Sequence, residues 1–101
     1  MTRREKLQQM LQDTPDDAFL LYGLAMEDVS SEDWESALTS FDRVIDVDSD
    51  HIAAYFQKGQ ILARLDRIDE ARSVLNDGIT VGQKVRDDHA VREMTEFLQS
   101  L

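Results

Sequence analysis

Apolar residues recur along this chain at helical spacing, and part of the pattern repeats after 34 residues. Six apolar stripes with spacings of three and four predict six helices joined by short connections, because such spacing places side chains on one helix face. Ala37 recurs as Ala71, and Ile45 recurs as Ile79, each 34 positions later. A fixed period of this length predicts stacked helix-turn-helix units, since one unit alone cannot bury its apolar face.

A second set of matches has a different offset. Phe19 and Gly23 recur as Tyr55 and Gly59 after 36 residues rather than 34. We therefore predict a two-residue insertion in the connection between the two helices of the first unit, around residues 27–31. An insertion in a turn is tolerated better than one inside a helix.

These residues resemble the tetratricopeptide repeat, in which an aromatic residue and a small residue are followed by Ala and a bulky apolar residue. The second unit matches best, with Tyr55, Gly59, Ala71 and Leu75. The resemblance, which extends to small bacterial proteins of this family, implies an all-α fold: a right-handed superhelical stack of antiparallel helix pairs with about six helices. The residues expected to pack the repeat are Phe19, Gly23, Ala37, Phe41, Tyr55, Gly59, Ala71, Leu75 and Gly78.

The same resemblance divides a single domain, residues 1–101, into four segments. Residues 1–14 match the second helix of a preceding half unit, 15–50 the first repeat, 51–84 the second repeat, and 85–101 a capping helix. Glycine inside a helix costs about 0.5–1 kcal/mol relative to Ala, so Gly59 indicates a close helix crossing that offsets this cost. If the matches at 34 residues arose by chance, the alternative is a six-helix bundle without stacking.

The net charge excludes several classes of function. With 21 acids against 11 bases, a formal net charge of -10, the chain would be repelled by nucleic acid and by anionic membranes. Residues 13–50 alone hold twelve acids and one base. Abundant Asp and scarce Lys are typical of a halophilic host, so the acidity predicts either a salty cytoplasm or a basic ligand. No apolar run has membrane length, and we expect a soluble, cytoplasmic protein.

Patterns for catalysis and metal binding are missing from the sequence. His51 and His89 have no second histidine at helical spacing, and the chain has no Cys. Residues 46–50 imitate the opening of a calcium loop, but His51 and Gln57 stand where that loop needs Gly and Glu. We expect no enzyme activity, no bound metal and no cofactor.

A surface for a partner is the remaining functional feature. In the tetratricopeptide family the first helices of successive units line a concave groove, and helical spacing independently puts Leu20 and Leu24 opposite Phe19. The resemblance thus implies an apolar groove rimmed by acids. Its residues are Asp17, Leu20, Leu21, Leu24, Glu27, Asp28, Ala53, Phe56, Gln57, Gln60 and Arg64.

Two hypotheses about this groove stay open. In the first, the chain is a protein-interaction module that binds an apolar peptide or helix with basic flanks. In the second, it is a structural protein that forms a homodimer, with the groove covered by its own last helix or by a second copy. Chaperone adaptors of the family clamp the carboxylate of a heat-shock tail with Lys, Asn and Arg. The corresponding face here has no Lys, so we do not expect that function.

Overall fold

The computed structural model describes residues 1–101 and contains six α-helices and no strand. The prediction of an all-α chain with six helices is therefore confirmed. None of the helices combines the length and the apolarity needed to cross a membrane. The helices are α1 (Arg3–Asp13), α2 (Ala18–Ser30), α3 (Trp34–Val47), α4 (Ile52–Arg64), α5 (Ile68–Val85) and α6 (Asp88–Gln99).

Five of the six helices begin at a side chain that accepts a hydrogen bond from a backbone N–H group of the first turn, and only α5 has no such cap. Asp17 accepts from Leu20 N, and Asp87 accepts from Ala90 N at 3.0 Å. His51 plays the same part for α4, because its Nδ1 accepts from Ala54 N at 3.2 Å. These contacts satisfy donors that a helix end leaves unpaired, and they set where these helices start.

The connections within the two repeats have the same length and the same geometry. Helices α2 and α4 start 34 positions apart, as do α3 and α5, so each connection contains three residues. Glu32 and Asp66, also 34 positions apart, have φ of 56° and 61°. The following N–H groups, of Asp33 and Arg67, bond back to the carbonyls of Asp28 and Leu62, which is the bonding of a Schellman turn. The predicted insertion in the first unit is therefore wrong.

The corrected register changes which residues of the first unit correspond to those of the second. At an offset of 34, the equivalents of Tyr55 and Gly59 are Leu21 and Ala25, both fully buried. Phe19 corresponds instead to Ala53 and is 80% exposed. The prediction that Phe19 packs inside the repeat is wrong, because the spacing of four residues to Gly23 imitated the pair Tyr55 and Gly59.

The helices form two compact units, Met1–Ser49 and Asp50–Leu101. In the first unit α2 packs between α1 and α3. Its core is an aromatic and aliphatic cluster in which the ring of Phe41 meets the edge of Tyr22 at a centroid distance of 5.7 Å. The buried apolar side chains are Leu7, Leu11, Leu20, Leu21, Ala25, Ala37, Leu38, Phe41 and Val44.

In the second unit, glycines let the helices approach closely. A Cβ on Gly59 of α4 would lie 2.7 Å from Cδ2 of Leu75 on α5. In return, a Cβ on Gly78 of α5 would lie 2.8 Å from Cβ of Tyr55 on α4 and 2.8 Å from Sδ of Met94 on α6. Leu75 and Met94 are fully buried, and Ala71 is buried beside them in α5. The paired glycines thus interlock α4, α5 and α6.

Gly23 packs in a different place from Gly59. A Cβ on Gly23 would lie 3.3 Å from Cδ2 of Leu7 on α1, so this glycine serves the crossing of α1 and α2. The space there is wider, and the neighbouring atom is the mobile end of a side chain.

Substituting Gly78 and Gly23 tests the packing of the helices. We expect Gly78→Ala to lower the free energy of unfolding by about 1–2 kcal/mol, because overpacking against the Cβ of Tyr55 exceeds the gain in helix propensity. We expect Gly23→Ala, the matched control, to change it by less than about 0.5 kcal/mol, since Leu7 can shift slightly. Urea unfolding followed by circular dichroism measures both. A Gly78→Ala variant as stable as the Gly23→Ala variant would contradict the interlock.

Candidate interaction surface

Three of the six residues that the sequence predicted for the groove of the first unit are buried. Leu21 is fully inaccessible, Leu20 is buried and Leu24 is half-buried. Asp28 is 1% exposed. The prediction that Leu20, Leu21 and Asp28 offer a binding surface is wrong, because the face of α2 that carries them is occupied by core packing.

Asp28 is the centre of a buried polar network that joins three helices. Its Oδ1 accepts a hydrogen bond from Nη1 of Arg4 on α1 at 2.6 Å. Its Oδ2 accepts from the hydroxyls of Ser36 and Ser40 on α3, at 3.0 and 3.2 Å. No buried side-chain nitrogen or oxygen lacks a partner, so the carboxylate is compensated within the unit. The role of Asp28 is to hold α1, α2 and α3 together.

The repeat register contains a signal that identifies Asp28 as unusual. At an offset of 34 its equivalent is Leu62, which is buried in the second unit. An acid at a position where the other repeat has Leu indicates a buried charge that needs a cation, and Arg4 lies 24 residues away in the chain. The incorrect offset of 36 hid this correspondence.

The other two acids predicted to line the groove are also engaged within the first unit. Asp17 is the N-cap of α2, with Oδ1 3.2 Å from Leu20 N. Oε1 of Glu27 lies 3.3 Å from Nε of Arg3, in a partly exposed ion pair. Both remain accessible enough to contribute to the negative potential of the surface, although each already has a structural partner.

The accessible face of α2 is apolar and includes Phe19, which was predicted to pack inside the repeat. Phe19 is largely exposed, while Tyr22 and Met26 are half-buried at positions three and seven residues further along the helix. This spacing places the three side chains on one face, and we call them the α2 face. Their equivalents in the second unit at an offset of 34 are Ala53, Phe56 and Gln60, which belong to the predicted groove.

The α4 face, which we define as these three residues together with Gln57, mixes an aromatic ring with amides. Ala53 is exposed, and the other three are half-buried. The ring of Phe56 meets the edge of Phe97 on α6 at a centroid distance of 6.0 Å and an interplanar angle of 68°. The last helix therefore supports the ring of Phe56 and leaves it partly accessible. Arg64, also predicted for the groove, is exposed at the end of α4.

The two histidines and the acidic run at residues 46–50 have structural roles or lie on the surface. His51 caps α4, and Nε2 of His89 lies 2.8 Å from Oε1 of Glu93 on the surface of α6. Asp50 accepts hydrogen bonds from Nζ of Lys84 at 3.1 and 3.3 Å. No group of three or more His, Cys, Asp or Glu side chains is arranged to hold a metal ion.

Comparison with known proteins identifies the fold. The sequence matches no family model and no curated protein. A tetratricopeptide repeat domain protein from Salinibacter ruber is 28% identical and superposes with a TM-score of 0.80 over 85% of this chain and 87% of its own. The TPR2B domain of yeast Sti1, in complex with pHsp70, is 18% identical, with a TM-score of 0.87 over 95% of this chain and 77% of its own.

A secretion chaperone has the same fold. SycD from Yersinia enterocolitica, in complex with a peptide of the translocator YopD, is 15% identical. Its TM-score is 0.87, over 96% of this chain and 75% of its own. The chain therefore has the fold of tetratricopeptide-repeat proteins, as the resemblance of its sequence predicted.

Removing the cation of the buried network tests its contribution to stability. We expect Arg4→Met to lower the free energy of unfolding by about 3 kcal/mol, because it leaves the carboxylate of Asp28 buried without a counter-charge. Arg3→Met breaks an exposed pair and should cost no more than about 1 kcal/mol. Urea unfolding of both variants at the same salt concentration makes the comparison.

A double variant separates the pair from the network. Combining Arg4→Met with Asp28→Leu should recover most of the lost stability, since Leu is the residue that the second repeat carries at this position. If Arg4→Met and Arg3→Met lowered the free energy of unfolding equally, the buried carboxylate of Asp28 would not need the charge of Arg4.

Proposed function

We propose that this chain is a non-catalytic protein-interaction module that binds apolar peptide segments with basic flanks on the α2 face of the first unit or on the α4 face of the second. The observation that carries the proposal is the exposure of Phe19. A phenylalanine ring that is 80% accessible contributes little to the fold and leaves apolar surface in water at the start of a rigid helix. Burying such a ring against a partner contributes about 1.5–3 kcal/mol.

The α2 face has the composition of a binding hot spot. Phe19 projects from it, Tyr22 is backed by the buried ring of Phe41, and Met26 supplies an adaptable side chain. Rigid aromatic anchors in the centre of a contact contribute a large share of binding energy. Tyr22 is held by its neighbour before any partner arrives, so little side-chain entropy is lost when the face is covered.

The charge of the first unit favours a partner with basic flanks. Residues 13–50 hold twelve acids and one base, and these residues include the whole α2 face. A surface with this excess attracts cationic segments and repels acidic ones. Similar proteins of known structure offer support, since the TPR2B domain of Sti1 was solved with pHsp70 and SycD with a peptide of YopD.

Self-association is the second candidate, favoured by the exposure of Phe19 together with Met10, which is 53% accessible. The outer faces of α1 and α6 do not favour it, because the residues there are polar. On α1 they include Glu5, Gln9 and Gln12, and on α6 Arg92, Glu93 and Glu96, all exposed. Polar outer faces are typical of helices that terminate a repeat array. Sedimentation velocity at low and high salt distinguishes a dimer from a monomer.

The binding proposal predicts a loss of affinity without a loss of stability. Peptides selected from a random dodecapeptide library against the full chain would be synthesised and titrated by fluorescence anisotropy. We expect Phe19→Ala or the conservative Phe56→Leu to raise the dissociation constant of a selected peptide about thirtyfold or more. Met10→Ala serves as the control, since Met10 is an exposed apolar residue of the first unit outside the α2 face.

Two results would contradict the proposal. The first is a library that yields no peptide with a dissociation constant below about 100 μM, which is a weak affinity for a dedicated binding module. The second is a set of peptides that neither Phe19→Ala nor Phe56→Leu weakens more than the control Met10→Ala does. A stable dimer that dissociates when Phe19 is replaced by Ala would support self-association instead.

The basic flanks predict a dependence on salt. Raising NaCl from about 0.05 M to about 1 M should weaken a selected peptide about tenfold, because screening shortens the Debye length to about 3 Å. A peptide whose Lys and Arg residues are replaced by Gln should bind more weakly and lose this dependence. Selected peptides that carry no net positive charge and bind equally at both salt concentrations would exclude basic flanks.

A further inference from the structure

Helix α1 buries little apolar surface. Of its 11 residues only Leu7 and Leu11 are buried, Arg4 is half-buried and the others are exposed. Leu7 lies beside Gly23 of α2, where an added Cβ would come within 3.3 Å of its Cδ2. A helix shorter than about 12 residues is rarely stable by itself in water. The helical state of α1 therefore depends on its docking against α2.

Two ion pairs join α1 to the last turn of α2. Nη1 of Arg4 lies 2.6 Å from Oδ1 of Asp28, and Nε of Arg3 lies 3.3 Å from Oε1 of Glu27. Residues 1–12 hold three bases and one acid, whereas residues 13–50 hold one base and twelve acids. The charge of α1 is therefore attracted to the acidic remainder of the first unit.

The four paired charges are unfavourable for their own helices. Arg3 and Arg4 are the first two residues of α1, at the positive end of its dipole. Glu27 and Asp28 lie at the other kind of end, near the negative C-terminus of α2. The pairing between the helices offsets these unfavourable positions only while α1 is docked. Once detached, α1 loses its leucine packing and keeps two cations at the end where they oppose helix formation.

Helices α2 and α3 have a core of their own. The rings of Tyr22 and Phe41 join them directly, and Leu21, Ala37 and Val44 are fully buried in the same unit. Helix α1 packs chiefly on α2. The packing of α2 against α3 can therefore persist when α1 leaves.

Detachment of α1 uncovers a face of α2 that is closed in the structure. Leu20, Gly23 and Glu27 follow one another at spacings of three and four, so they share one side of the helix. Leu7 and Arg3 contact this side at Gly23 and Glu27. Leu20 is only 6% exposed, and it becomes accessible when α1 is absent.

We infer that α1 is a salt-sensitive detachable helix: it leaves α2 while α2 and α3 stay folded, and the ion pairs of Arg3 and Arg4 control how often it does so. Low ionic strength keeps it docked and high ionic strength releases it, because screening weakens the attraction between the basic helix and the acidic unit. The inference goes beyond the proposed function and does not depend on it, since it concerns the docking of a helix within the chain.

Hydrogen exchange of the full chain, followed residue by residue by nuclear magnetic resonance, tests the inference at about 0.05 M and about 1 M NaCl. Rates are divided by those of an unstructured peptide at the same salt concentration. We expect the amides of α1 to exchange about tenfold or more faster than those of α3. Salt should raise the exchange of α1 relative to α3 about threefold to tenfold.

Helix α6 is the internal control, because apolar contacts attach it. Met94 is fully buried, Val91 lies against Gly82, and the ring of Phe97 meets Phe56. The exchange of α6 relative to α5 should change less than about twofold with salt, since screening does not weaken such contacts.

Reversing one ion pair separates charge from packing. Glu27→Arg places two cations together and should raise the exchange of α1 about tenfold, with that of α3 unchanged. Adding Arg3→Glu restores the pair in reverse and should return the exchange of α1 to the natural rate or below it. Lys6→Gln removes an exposed base of α1 outside both ion pairs, and this control should change the rate less than about twofold.

Three results would overturn the inference. Amides of α1 that exchange no faster than those of α3 at either salt concentration would show that α1 leaves only when the whole unit unfolds. Exchange of α1 that salt does not raise would show that charge does not control its docking. The third is a double variant that exchanges as fast as Glu27→Arg alone. If Glu27→Arg also raises the exchange of α3, Arg3→Gln replaces it and should raise the exchange of α1 about threefold, and a rate no higher than that of Lys6→Gln would overturn the inference.

Discussion

The close approach of helices at positions without a side chain determines how the second unit packs. In the second unit Gly59 admits Leu75 from α5, and Gly78 admits Tyr55 from α4 and Met94 from α6. Because α4 and α5 each supply both a gap and the side chain that fills the partner's gap, these two helices are held in one register, and Met94 fixes α6 against them. That register leaves Phe56, Gln57 and Gln60 on the accessible side of α4. The accessible face of α4 is therefore a consequence of how the core of the second unit interlocks.

The first unit reaches the same architecture by different means. Its equivalents of Tyr55 and Gly59 are Leu21 and Ala25, and Asp28 stands where the second unit has Leu62. Asp28 connects α1 and α3 through Arg4 and two serines. A polar network therefore holds helices together in the first unit, as apolar packing does in the second. Burying a charge with several partners gives a specific arrangement of helices rather than additional stability. The result is an N-terminal helix attached to its neighbours at a defined position.

Much of the fold could be predicted from the sequence, because helical periodicity and a 34-residue recurrence are local properties. The number of helices and the absence of strands followed from those patterns. The face of α2 could not be predicted in the same way. Phe19 and Gly23 have the same spacing as Tyr55 and Gly59, so the two pairs were aligned and the predicted register of the first unit was wrong by two residues. As a result, the buried face of α2 was predicted to be its accessible face. The connections of equal length, visible only in the structure, remove the ambiguity.

Charge presented a second limit to prediction. The acids of residues 13–50 look alike in the sequence, yet Asp28 is buried, Asp17 caps a helix and Glu27 pairs with Arg3. Which acid is buried depends on a partner 24 residues away, and such pairings are not encoded in local spacing. For this reason the negative potential of the first unit could be predicted as a whole, whereas the role of each carboxylate could not. The comparison of Asp28 with Leu62 shows that the correct register would have revealed the exception.

Thiol accessibility measures the orientation of α2 without interference from native thiols, since the chain contains no cysteine. Single substitutions Phe19→Cys and Leu21→Cys would be labelled with a thiol reagent under native conditions. Position 19 should react at nearly the rate of a free thiol, while position 21 should react only when the protein unfolds. Rapid labelling at position 21 with protection at position 19 in the free protein would contradict the orientation of α2 and the interaction surface built on it.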